Sequence, residues 1–312
     1  MSHHINDHDA DHASVYDGLT GGDDSHWAFG TDFEDPLAGV DTTIPTGIDP
    51  SALAQYCLML GDDALVYANR LSEWASNAPD LEEDIALANI ALDLLGQARL
   101  LLARAAAADF SLVPTLPDGS PVPAEDALAF FRDQHAFRNV RFVEPENGDF
   151  AETVARLLLF STYRLALLEK LVTSQDPVLT AIAAKGIKEV TYHRDYAGRW
   201  FLTLAQGTEE SRHRLIAGLD AVWLYYADLF RTHVVEAQVA AAGVGVDPAQ
   251  VQDSVDVLLE QVFAISGVER PTVAAIGLIN GGTGRDGRHT EYLSRMLAEM
   301  QSVAREHPRG QW

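Results

Sequence analysis

Cysteine is nearly absent from these 312 residues, and lysine is scarce. Cys57 stands alone and only three of the 22 basic residues are lysine. One cysteine excludes a disulfide framework and a thiolate-held zinc, and it suits a reducing compartment. Basic residues are few against 46 acidic ones, for a formal charge of −24. No basic stripe is available to neutralise phosphates, which argues against nucleic acid as a partner. No run approaches eighteen uninterrupted apolar residues, which argues against a membrane span. Met1 to Asp11 is polar and acidic, unlike a secretory signal, so the reading points to the cytosol. Hydrophobic residues nevertheless make up 47% of the chain, enough for a sizeable core.

Residues 1–50 differ from the rest. They hold ten Asp and one Glu with no Lys or Arg, and five histidines (His3, His4, His8, His12, His26) are scattered among them. Such a segment buries too little apolar surface to offset its ordering entropy and reads as a disordered acidic extension. Weak metal scavenging by its Asp and His residues is the lesser reading.

From Pro50 onward the periodicity is helical. Leu87, Ile90, Leu94, Gln97 and Leu101 recur at spacings of three and four. A second set, Leu81, Ile85, Ala88, Leu92 and Leu95, marks another face. A helix apolar on both faces is expected inside a bundle, packed on two sides. Asp176-Pro177 is a helix start, and the seam Leu179, Ala183, Gly186, Val190, His193, Ala197, Trp200, Leu204 follows it. The next seam runs Leu215, Leu219, Val222, Tyr226, Leu229, His233 as one helix. Further helices are expected over about 51–75, 124–142, 149–174, 247–265 and 288–306. Pro114–Pro123 and Glu144–Gly148 carry turn chemistry, and strand-like alternation is scarce. The expected architecture is all-α, one helical domain over 51–312 with four long core helices and shorter accessory ones.

Three motifs bear on chemistry. Gly282-Thr-Gly-Arg-Asp-Gly287 matches a dinucleotide fingerprint, but only 25 residues follow it and no strand is among them. It reads as a flexible loop. Cys57 lacks a basic neighbour and reads as a buried structural thiol. Metal is the stronger question, because a di-iron bundle site needs a Glu from each of two helices and a Glu-x-x-His from each of two others. On the long seams the corresponding places hold Leu94-x-x-Gln97 and Val190-x-x-His193. Aliphatic side chains cannot coordinate a metal, so a metal-free core is favoured. His193 and His233 then serve as hydrogen-bonded interior histidines or face a partner. Offset pairs Asp93/Gln97 and Glu189/His193 share faces but are too few for two metals.

At these residues a family resemblance emerges. Leu60-Gly-Asp-Asp63, Arg70-Leu-Ser-Glu-Trp74, Ala78-Pro-Asp-Leu-Glu82 and Ala86–Arg99 resemble the C-type structural subunits of phenylacetyl-CoA epoxidases. So do Phe131-Arg-Asp133, Asn139, Asn147–Ala151, Ala184–His193, His289–Leu293, Met296–Gln301 and Gln311-Trp312. The likeness covers about residues 52–312. It implies a ferritin-like four-helix bundle and membership of a multicomponent monooxygenase that epoxidises the ring of phenylacetyl-CoA with oxygen and NADPH-derived electrons. It further implies partners: a paralogous A subunit holding the di-iron site, a small B subunit, and a reductase with a flavin and an iron–sulfur cluster. The A-subunit motifs read approximately Asp-Glu-Ala-Gly-His and Lys-Glu-Glu-Ser-Phe-His. Here Asp93-Leu-Leu-Gly-Gln97 and Lys188-Glu-Val-Thr-Tyr-His193 stand in their places. The first-helix Glu aligns near Ala64 or Leu65. The resemblance thus implies a degenerate di-iron site at Leu94, Gln97, Val190 and His193, with no catalytic residue, cofactor or metal in this chain.

The expected role is a non-catalytic scaffold that pairs with the A subunit, with Trp74, Trp200, Tyr225 and Tyr226 as candidate contacts. One alternative is a self-sufficient di-metal oxidase using Asp93, Glu189 and His193. Another is a module for the phosphates of coenzyme A, with Arg285 and Arg288 as its candidate cations. The acidic balance also suits high salt, where net charge sustains solubility.

Overall fold

Aspartates start the long helices. In a computed structural model of the chain, which describes residue 37 and residues 39–310, helix α1 (Pro50–Ser72) opens at Asp49, whose carboxylate accepts the Ser51 N–H at 3.0 Å. Asp80 accepts Glu83 N–H at the start of α2 (Leu81–Ala108), and Asp149 accepts Glu152 N–H at the start of α4 (Phe150–Leu171). Asp176 accepts Leu179 N–H for α5 (Pro177–Gln206), with Pro177 at the first helical position. Each carboxylate satisfies an orphan donor and meets the positive end of the helix dipole.

These four helices form the bundle, with α1 packed along α2, α4 along α5, and α2 meeting α5. Shorter helices surround it: α3 (Ala124–Phe130), α6 (Glu209–Trp223), α7 (Val234–Ala241), α8 (Gln252–Ser266), α9 (Glu291–Met300) and α10 (Ser302–Glu306). Among the described residues no strand occurs beyond an isolated Ile279–Gly282 bridge. The fold is all-α, as the periodicity implies. The expected tail over 1–50 falls mostly outside the described residues. Within its last ten, Thr42 is tied to the bundle, because Arg104 Nη1 donates to its carbonyl at 2.6 Å.

Two expected helices are shorter than their patterns. The seam from Leu215 to His233 is broken. Helix α6 ends at Trp223, Tyr226–Phe230 is a 3-10 turn, and His233 caps α7. The segment expected to be helical to 142 stops at Phe130. Beyond it, buried polar residues anchor irregular chain to the bundle. Arg132 pairs with Asp62, and Arg141 Nη2 donates to Asp228 Oδ1 at 2.8 Å. Glu144 accepts Thr290 N–H at 2.7 Å and faces His289 Nδ1 at 2.7 Å. Satisfying these buried charges outweighs the local helical pattern.

Candidate functional site

Leu94 and Gln97 on α2, and Val190 and His193 on α5, all lie buried in the bundle. They sit on the inward seams as the spacing predicts. Around these four positions runs a chain of hydrogen bonds. Arg164 Nε, from α4, donates to Gln97 Oε1 at 2.9 Å, and Gln97 Nε2 donates to Glu189 Oε2 at 2.9 Å. Lys185 Nζ stands 3.5 Å from Glu189 Oε1. Arg164 also donates to the Leu60 carbonyl at 3.3 Å, and its guanidinium sits 5.9 Å from the Phe160 ring centre. Burial pulls the pKa of this guanidinium down, while Asp63 works in the opposite direction. His193 Nε2 pairs separately with Asp93 Oδ2 at 3.0 Å.

This donor set does not fit a pair of iron ions. Leu94 and Val190 have no lone pairs to offer, and both ends of the Gln97 amide are engaged inside the protein. The unorthodox set Asp93, Glu189 and His193 falls into two separate pairs rather than one cluster. Among the described residues no three His, Cys, Asp or Glu side chains converge. The expectation that residues 51–312 hold no Glu-x-x-His is wrong at one place, Glu210-Ser-Arg-His213 near the start of α6. Both side chains there are exposed, and Glu210 pairs with Arg214 at 2.6 Å.

The other motifs resolve as packing. The Gly282–Gly287 segment, expected to be a solvated flexible loop, is wedged into the fold. A Cβ on Gly284 would stand 2.0 Å from the Asn139 carbonyl oxygen, so only glycine fits. Arg285 is buried, donating to Asp63 Oδ2 at 2.8 Å and lying 3.3 Å from Glu236 Oε1. Burial opposes its charge, but Asp63 and Glu236 overcome this and raise its pKa. Arg285 is therefore committed internally, and of the proposed phosphate-binding pair only Arg288 is exposed. Cys57 is buried, and burial pushes its thiol pKa up. His233 caps α7 through Nδ1, which accepts Val235 N–H at 3.2 Å. Burial lowers its pKa, against the pull of Asp286.

The outward side of α2 departs from expectation. Its second apolar set was expected to pack within the bundle, yet Leu81 is 69% exposed, Ile85 53%, Leu92 45% and Leu95 42%. The described chain leaves a large part of each open to solvent. On the neighbouring α5, Tyr192 is 48% exposed, and Lys188, one turn before it, is exposed as well. Trp74, Trp200 and Tyr226, the aromatic contacts expected from sequence, are used internally. Trp74 Nε1 donates to Thr153, Trp200 Nε1 to Glu83, and Tyr226 to Asp256. Tyr225 is half-buried. Helix α2 is long and apolar enough to cross a membrane by length and composition, but its other face is packed in the bundle.

Charged residues border this face. Two of the three lysines in the chain, Lys185 and Lys188, lie on α5 next to it, and Arg99 lies on α2 itself. Glu82, Asp84 and Asp93 lie on α2 as well, so charges of both signs border the exposed leucines. A contiguous apolar stripe with a polar rim marks an interaction surface on a soluble fold.

Comparison with known proteins agrees with the all-α bundle. The family model described as phenylacetic acid catabolic protein matches residues 41–312. The chain is 40% identical over 261 residues to the C-type subunit of 1,2-phenylacetyl-CoA epoxidase of Escherichia coli (strain K12), covering 83% of this chain and 99% of that protein. With a ferritin-like helical bundle and a match spanning all its core helices, the chain belongs to the phenylacetic acid catabolic protein family.

Proposed function

We propose that this chain is the non-catalytic structural subunit of a multicomponent phenylacetyl-CoA ring epoxidase, pairing with and bracing a paralogous di-iron A subunit. The observation that carries the reading is helix α2. Its inward face holds Leu94 where a ligand would be needed, and its outward face exposes Leu81, Ile85, Leu92 and Leu95. Carboxylates buried without a metal are costly, and Leu94 and Val190 place aliphatic side chains at two buried positions instead. The outward stripe has the composition of an interface centre, apolar and rimmed by charge. The iron then belongs to the A subunit, and the flavin and iron–sulfur cluster to a reductase. A small B subunit completes the assembly.

Co-expression with the A paralogue, followed by size exclusion with iron and oxygenase assays on every fraction, tests the reading. Co-elution is expected, with iron and activity only where the paralogue is present. Separate elution, with near-stoichiometric iron on this chain alone, would overturn it.

A further inference from the structure

Asparagine is a thermolabile residue, because the main-chain nitrogen that follows it can attack its side-chain carbonyl carbon and close a ring. A side chain on the following residue hinders that approach, and glycine has none. Two Asn-Gly pairs occur in the chain, Asn147-Gly148 and Asn280-Gly281. The fold treats them differently.

Asn147 is half-buried in the turn before α4. Its Nδ2, the leaving group of such a reaction, donates to the Arg70 carbonyl at 2.5 Å and to Glu73 Oε2 at 3.0 Å. Ring closure there would forfeit both bonds. Asn280 instead stands at the tip of a two-residue turn, where Ile279 and Gly282 exchange main-chain hydrogen bonds of 3.0 Å in each direction. Asn280 has φ 49° and Gly281 φ 80°, the left-handed pair that a tight hairpin turn requires and that Asn-Gly supplies. Both residues are exposed. Among the described residues no hydrogen bond holds the Asn280 amide or the Gly281 N–H, and a Cβ added to Gly281 would meet nothing within 4 Å. The leaving group and the attacking nitrogen are thus both unengaged, in a turn closed by one isolated bridge.

We propose that Asn280 is a site of spontaneous modification, converting in the folded protein to aspartate and isoaspartate. The Gly281 nitrogen attacks Asn280 Cγ, and a C–N bond forms. The Cγ–Nδ2 bond breaks, and Nδ2 leaves as ammonia with the proton that the Gly281 nitrogen gives up. Water then adds to either carbonyl of the succinimide and reopens the ring, giving aspartate from one side and isoaspartate from the other. Nothing is oxidised or reduced, and water is the only co-reactant. Isoaspartate lengthens the main chain by one atom, which the two-residue turn between Ile279 and Gly282 does not accommodate. Either product sets a carboxylate in the groove of about 430 Å³ that Asn280 lines with Asp133, His135 and Arg288.

The test incubates the full chain warm at mildly alkaline pH, folded and in denaturant. Peptide mass mapping reads the exchange of amide for acid at each asparagine, and methyl transfer by an isoaspartyl methyltransferase reads the isoaspartate. In the folded chain, product at 280 should exceed product at 147 by about tenfold or more, the rate effect of hydrogen bonds that must be given up at 147. In denaturant the two pairs should react alike, and Asn280→Ser should remove the methyl-accepting signal from the folded chain. Equal rates at 147 and 280 in the folded chain would overturn the proposal. So would a folded chain inert at 280 whose denatured form reacts there, since the turn would then protect the asparagine. A preference for 280 that persisted unchanged in denaturant would place its cause in the local sequence and refute the structural argument.

Discussion

Helix α2 carries two leucine-rich faces of opposite fate. Leu87, Ile90, Leu94 and Leu101 are buried against the bundle, whereas Leu81, Ile85, Leu92 and Leu95 reach solvent. Residue type and spacing are the same on both sides. An apolar face thus identifies a surface that favours being covered, but not the chain that covers it. In this protein one face is satisfied by its own fold, and we assign the other to a partner.

The same substitution on each face should separate them most sharply. Leu87→Asp places an unpaired carboxylate in the core and is expected to destabilise the isolated chain by about 4 kcal/mol or more, read by denaturant titration. Leu92→Asp should leave that stability within about 0.5 kcal/mol, as surface changes do. Its effect appears on assembly, where affinity for the paralogue should fall about a hundredfold, measured by sedimentation or interferometry. Equal destabilisation by both changes would show that the outer stripe is covered within the chain.

A smaller effect probes the inner face alone. Gln97→Leu removes the bridge between Arg164 and Glu189 and strands a buried guanidinium with one remaining partner, the Leu60 carbonyl. A loss of about 1–3 kcal/mol is expected, with binding to the paralogue unchanged. The smallest effect lies away from both faces. His233 caps α7 through its unprotonated Nδ1, and burial lowers its pKa from the ordinary 6.5. The fold favours neutral imidazole, so its contribution is full above the unfolded pKa and fades as pH falls through the lower folded value. His233→Asn, which keeps a capping oxygen, should flatten this slope between about pH 7 and 5 in thermal melts, changing stability by less than about 1 kcal/mol.

Much of this fold is legible in the sequence because it is local. The aspartate caps, Pro177 and the periodic seams locate α1, α2, α4 and α5, and the same seams place Leu94 and Val190 in the interior. What is missed is long-range. Arg164 meets Gln97 across 67 positions, and Arg285 meets Asp63 across 222. No periodicity reports such pairings. A signal did exist: consecutive Asp62 and Asp63 inside an otherwise apolar helix require cations to be buried with them, and Arg132 and Arg285 supply these. The continuous seam through Tyr226 misleads because apolar spacing persists across a 3-10 turn. The outer face of α2 misleads for a different reason, since a pattern that calls for burial is silent about the partner.

The central claim is that this outer face meets the A paralogue. A photo-crosslinking residue at position 92, irradiated in the assembled complex, tests it directly, with position 216 on α6 as the exposed control. The account predicts a crosslink from 92 to the paralogue and none from 216. Crosslinks from 216 with none from 92, in a complex that still forms, would contradict it.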